Sequence, residues 1–127
     1  MTETWKTIQW RGNIYPNHLV SINGKVVTRN ITSTNKHKLP LFGDWREISF
    51  KKQNKGYVSC FITPPNGKRT YPNLHQLVWE SFNGEIPEGF VIDHIDNNPK
   101  NNHLSNLQIV TRQQNTLKWH RVDKLKK

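Results

Sequence analysis

From residue 90 onward, the order of residue types leaves this chain few ways to fold. Residues 90–95 are a short β-prone run, residues 96–105 an Asn-rich loop interrupted by Pro99, and residues 107–110 a second β-prone run. Thr111-Arg112-Gln113-Gln114 then matches the Ser/Thr-x-x-Glu/Gln capping box that opens a helix, predicted to run from Arg112 to about Trp119. The pattern predicts strand, loop, strand, helix. Ahead of it, Asn73 stands where it would cap a helix whose apolar Leu74, Leu77, Val78 and Phe82 share one face, with Gly84 as its stop. Asn23-Gly24 between two β-prone runs predicts a hairpin with a type I′ turn. Residues 57–63 and 68–71, joined through Asn66-Gly67, repeat that logic. Residues 30–55, rich in Asn, Lys and Thr, read as loop, with no assignment for residues 39–50. The fold class expected is α+β, with a β-hairpin-rich first part.

Composition narrows the partner. The 127 residues carry 19 Lys and Arg against 9 Asp and Glu, a formal charge of +10. Only 33% are apolar, and adding the 7 glycines still leaves the chain short of the ~45–50% usual in globular domains. A small core under a basic surface follows, and the length allows one compact domain or two small modules. Such a charge favours a polyanion, because neutralising phosphates releases condensed counterions. The lone cysteine, Cys60, excludes an internal disulfide and a zinc ribbon and reads as a buried strand residue. No stretch approaches the ~18 apolar residues of a membrane span, and no leader pattern occurs at the start. The expectation is a soluble, cytoplasmic protein with no membrane partner.

The charge is unevenly laid. Residues 80–96 hold five acids and no Lys or Arg, between two basic flanks. Glu80, Glu85 and Glu88 read as solvated helix and turn residues. Asp93 reads differently, because carboxylate beside phosphate is useful where a cation must be held between them.

Asp93 and His94 end the first strand, Asn106 begins the second, and Asn115 falls in the first turn of the last helix. Adjacent strand residues point to opposite faces, so Asp93 and His94 cannot serve the same atom, but they can flank one phosphate. In-line phosphoryl displacement needs that arrangement, with a base on one side and a metal on the other. His94 suits the base, since an imidazole pKa near about 6.5 leaves it able to take a proton. Asp93 and Asn115 offer a hard, weakly charged oxygen pair that suits Mg2+ and argues against Zn2+. The positive end of the last helix favours the scissile phosphate. Lys25, Arg29, Lys68, Arg69, Arg112, Lys118 and Arg121 are candidate phosphate contacts, with His103 in the loop and the tail lysines behind them. His75 and the five tryptophans read as packing residues.

Residues 74–78 (Leu-His-Gln-Leu-Val), 91–98 (Val-Ile-Asp-His-Ile-Asp-Asn-Asn), 101–111 and Asn115 together resemble the HNH endonuclease domain of phage and intron-encoded homing endonucleases, over residues 57–119. The resemblance implies a ββα-metal fold, with His94 as general base and Asp93 and Asn115 as metal ligands. Asn106 would hold the loop that positions the histidine, and Mg2+ would be the cofactor, with Mn2+ able to substitute. Glu3-x-Trp5-Lys6 followed by residues 19–26 is similar to the small modular motif that often precedes this domain and touches DNA. The organisation expected is an N-terminal DNA-binding module at 1–50, an HNH nuclease domain at 51–119 and a basic tail at 120–127. The function expected is Mg2+-dependent hydrolysis of phosphodiester bonds in double-stranded DNA by a monomer that nicks one strand, in the host cytoplasm if phage-encoded. The alternatives are a non-catalytic DNA-binding module on the same scaffold and an RNA-binding protein.

Overall fold

The structure, a computed structural model, describes residues 3–34, 36–37, 40–52, 56–64 and 69–125. Strands β1 (Trp5–Trp10) and β2 (Asn13–Ser21) pair antiparallel across Arg11-Gly12. Both turn residues have positive φ, 51° and 79°, as a two-residue type I′ turn requires. Arginine is a poor choice for that conformation, and tertiary contacts hold it there. The Arg11 backbone N–H donates to Glu80 Oε1 at 3.0 Å, and the guanidinium lies 4.4 Å from the Trp10 ring centre. Glu80 is therefore buried, at 1% exposure, rather than solvated as its charge suggested; Glu85 and Glu88 are exposed. Burial pushes the Glu80 carboxyl pKa up, opposed by the Arg11 N–H and charge.

The hairpin expected at Asn23-Gly24 forms between β2 and β3 (Val26–Thr28), but its turn is not type I′. Only Gly24 has positive φ there (86°). Gly24 N–H donates to Ser21 O (3.0 Å), and the Ser21 hydroxyl accepts from the N–H groups of Asn23 and Lys25 (3.2 and 3.0 Å). That hydroxyl supports a longer loop, Ile22 to Gly24 between the paired Ser21 and Lys25, which ends on a left-handed glycine.

Residues 30–55 are not the continuous loop expected. They contain β4 (Ile31–Thr34), β5 (Pro40–Phe42), β6 (Arg46–Glu47) and β7 (Lys51–Lys52). β6 extends the first sheet to the order β1-β2-β3-β6, β4 pairs with β5, and β7 pairs with β8 (Val58–Ser59). Strands of two to four residues carry too little alternation to show in sequence and exist through their partners. Of the hairpin expected around residues 57–71, Ile62 and Thr70 pair through two 2.9 Å backbone bonds. Its turn, with Lys68, lies outside the described residues.

Helix α1 (Leu74–Asn83) begins and ends where Asn73 and Gly84 predict, yet the Asn73 side chain makes no capping bond. A backbone bridge from Asn73 to Ser59 fixes that end instead. β9 (Phe90–His94) and β10 (Leu107–Thr111) form the antiparallel ribbon, joined by a loop whose last residues, Leu104–Asn106, make one 3-10 turn. Helix α2 (Arg112–Leu125) follows with its capping box made: Thr111 Oγ1 accepts from Gln114 N–H (3.1 Å), and Gln114 Oε1 accepts from Thr111 N–H (2.9 Å). It runs past Trp119 into the basic tail.

One hydrophobic cluster joins these parts. Ile8, Val20 and Val26 from the first sheet meet Leu77 and Val78 of α1, with Ile92 and Leu107 of the ribbon beneath. Cys60 is buried there and unpaired, and burial pushes its thiol up to about 12. Of the tryptophans expected to pack, Trp10 is buried, while Trp5 and Trp45 are exposed. Trp5 falls on the outward positions of β1, and Trp45 lies under the Arg29 guanidinium instead. Among the described residues no helix is long and apolar enough to cross a membrane.

Candidate active site

The ribbon and α2 enclose a cavity of about 440 Å³, lined by Asp93, His94, Asn97 and Asn115 together with Tyr57, Ile92 and Pro99. Asp93, His94 and Asn115, brought together from sequence alone, thus share one concave site. Asp93 and His94 are both buried, at 4% and 5% exposure, and their side chains turn to different neighbours, as their adjacency on β9 demands.

Asp93 Oδ2 accepts from Gln108 Nε2 (2.8 Å) across the ribbon and from Lys118 Nζ (2.6 Å) on α2. His94 Nε2 lies 2.8 Å from Asn102 Oδ1. Asn102 Nδ2 in turn donates to Lys100 O (3.4 Å), which aims the amide oxygen at the ring. An amide oxygen only accepts, so Nε2 carries the hydrogen, and in the neutral ring Nδ1 is the nitrogen with the lone pair.

The Asn106 side chain bonds the loop rather than His94. Its Nδ2 donates to Asp96 Oδ1 and to Asn101 O (both 2.9 Å), while its Oδ1 accepts from Asp96 N–H (3.1 Å). Asp96 also accepts from Asn98 N–H (2.8 Å) and Asn101 Nδ2 (2.9 Å). The Asn101 side chain, the Asn98 N–H and the Asn106 side chain hold the Asp96 carboxyl down at about 2. This network fixes the loop on which Asn102 sits. His103 is spent locally: its Nδ1 accepts from Ser105 N–H (3.1 Å) and meets Ser105 Oγ (2.8 Å).

His75, read as a packing residue, is buried in α1 and packs against two residues that line the cavity. Its ring lies 5.0 Å from that of His94 and 5.2 Å from that of Tyr57. Burial, and then the His94 charge, pushes its pKa down from 6.5 to about 3. The unfolded chain therefore takes up a proton over that window that the folded chain refuses. Stability from this group is complete above the unfolded value and falls as pH drops below it, by about 1.4 kcal/mol per pH unit. Urea titrations of wild type and His75→Gln between about pH 7 and pH 4 read this directly: the variant loses stability with the shallower slope, and parallel slopes would contradict it. His18, pushed down by burial as well, contributes equally to both proteins.

The basic candidates are scattered. Lys25 pairs with Glu3 at 3.8 Å. Arg29 stacks on Phe42 and Trp45, at 3.8 and 4.6 Å from the ring centres, and Arg69 on Phe61 at 4.7 Å. Arg112 is exposed at the start of α2, beside a smaller cavity it shares with Arg11 and Glu88. Of these, Lys118 bonds a residue of the cavity, Asp93. Lys68 and the Arg121 side chain lie outside what the structure describes. Sequence reasoning missed Tyr57, Asn102 and Gln108. Nothing in an Asn-rich loop marks which amide faces inward, whereas His75 carried a signal, since the face of α1 shared with Leu74 and Val78 includes it.

A two-stranded ribbon closed by a helix, with a buried Asp-His pair and an Asn from the helix at its centre, is the ββα arrangement of a nuclease-type site. Residues 73–117 match the HNH endonuclease family. Over 63 residues, 49% of this chain, the sequence is 46% identical to YosQ of the SPbeta prophage in Bacillus subtilis (strain 168), whose name assigns it to the HNH homing endonucleases. It is 32% identical over 92 residues, 72% of this chain, to the gene 5.3 protein of Enterobacteria phage T3, covering 90% of that protein. In structure it is similar to the HNH homing endonuclease I-HmuI, described for its DNA binding and cleavage, with a TM-score of 0.67 and 27% identity. That likeness covers 94% of this chain and 59% of the other. The chain belongs to the HNH endonuclease family. The match spans little more than a third of YosQ's length (36%).

Proposed function

We propose that the protein is a metal-dependent DNA endonuclease that hydrolyses phosphodiester bonds, with His94 as general base and Asp93 and Asn115 as ligands of one Mg2+ ion, which Mn2+ can replace. The observation that carries this reading is the cavity shared by Asp93, His94 and Asn115 within an HNH-family ribbon and helix.

Whether these residues fit a cation can be judged from the chain itself. The Lys118 ammonium already sits against Asp93 Oδ2, His94 O and Ile95 O, so this corner of the cavity is an all-oxygen cradle that receives positive charge. Hard oxygen donors without thiolate suit Mg2+ or Mn2+. What the ion supplies there is Lewis-acid stabilisation of charge on the phosphate and on the departing 3′ oxygen. His94 Nδ1, left with its lone pair by the Nε2 bond to Asn102, takes the proton of the attacking water. Asn106 holds the loop that orients Asn102 and so is a positioning residue. Residues 1–50 add DNA contact to the cleavage part at 51–119, and the +10 charge supports a duplex polyanion as partner.

With one such site per chain, supercoiled plasmid with Mg2+ is expected to give nicked circles before linear DNA, and EDTA to abolish the product. Salt-dependent duplex binding with no cleavage under either metal would favour a non-catalytic DNA-binding module on the same scaffold.

A further inference from the structure

We propose that Lys118 is the resident cation of the metal cradle and that a divalent ion binds by displacing it. The inference rests on the metal reading above and concerns how that site is filled. An ammonium group has three donors, and all three find oxygen here: Asp93 Oδ2 at 2.6 Å, His94 O at 2.8 Å and Ile95 O at 3.3 Å. Two of those acceptors are backbone carbonyls at the end of β9, which the ribbon cannot move. The ammonium is therefore seated in a formed site, as opposed to resting on a surface carboxylate.

The two partners are unequal. The Asp93 side chain is 3% exposed and fixed by Gln108, whereas the Lys118 side chain is 27% exposed. A buried carboxylate left alone is costly, so the metal-free protein keeps the pair closed. The flexible partner is the one that can leave. Lys118 follows Asn115 by three residues on α2, which puts both on one helix face; Asn115 lines the cavity, and Lys118 reaches Asp93, which lines it as well. An ammonium and a divalent ion cannot both sit against Asp93, because their repulsion at such separation is large. Metal entry is thus an exchange of one cation for another, and apparent affinity falls by the fraction of molecules whose cradle is open.

Mn2+ binding without DNA, followed by the electron paramagnetic resonance signal of the free ion, tests this with wild type, Lys118→Met and Asp93→Asn. Lys118→Met is expected to bind Mn2+ about tenfold more tightly than wild type, the gain if the cradle is open in roughly one molecule in ten. Asp93→Asn is expected to lose the site. If Asp93→Asn abolishes binding while Lys118→Met binds no more tightly than wild type, the exchange is overturned and the metal reading stands. If no protein binds Mn2+, both fall. Wild type alone gives an independent readout should the methionine variant fold poorly. In 13C-lysine-labelled protein the Lys118 ε-carbon resonance moves toward that of a solvated lysine as Mg2+ is added, and an unmoved resonance at saturating Mg2+ refutes the exchange.

Discussion

His94→Ala is expected to slow DNA nicking by about 10²–10⁴-fold under single-turnover conditions, the range that a positioned general base contributes. Duplex binding and the circular dichroism spectrum should change little, because the backbone of β9 is held by its pairing with β10 from Phe90 to His94. The size of the effect follows from the pre-set geometry. The ring is buried between His75, Tyr57 and the Asn102 amide, which fixes its plane and its tautomer before DNA arrives. Alanine removes the proton acceptor and leaves the oxygens around Asp93 in place. Equal nicking rates for the two proteins would remove His94 from the mechanism.

Leu77→Ala is expected to destabilise the whole chain by about 2–5 kcal/mol, the usual cost of a buried leucine truncation. Against a total of roughly 5–15 kcal/mol, that is a large share. Leu77 is fully buried, in the cluster that contains Ile8 and Val20 from the first sheet and Ile92 and Leu107 from the ribbon. A cavity there loosens both halves together. Urea unfolding followed by tryptophan fluorescence and by far-ultraviolet circular dichroism is expected to give coincident transitions, both at lower urea. A loss under about 1 kcal/mol, or two separated transitions, would show that the shared cluster does not couple them.

The strand-loop-strand-helix segment was legible because each of its signals is local. The capping box at Thr111 and the short apolar runs of β9 and β10 state their structure within a few residues, as does the glycine that ends α1 ahead of them. That Asp93, His94 and Asn115 line one cavity was legible for the same reason, since they lie on the ribbon and in the first turn of α2. What failed depended on distant partners. Glu80 reads as a surface acid until the Arg11 turn is seen to require it, and the type I′ turn at Arg11-Gly12 went unpredicted because arginine rarely adopts that backbone. The short strands between residues 30 and 55 are made by pairing, and no propensity announces them. Asn102 could not be told from the neighbouring asparagines, because what distinguishes it is a histidine ring reached through the folded loop.

The bare backbone of Gly24 bears on this last point. A Cβ placed there would stand 3.1 Å from Asn102 Cβ and 3.2 Å from Asn102 O, and Leu104 N–H reaches back to Ile22 O at 2.8 Å. The front hairpin is thus a backstop for the amide that orients the imidazole. A bulkier residue at this spot in the hairpin would push on the Asn102 amide and loosen its hold on the His94 ring. How closely hairpin and loop can approach is set here by one absent side chain.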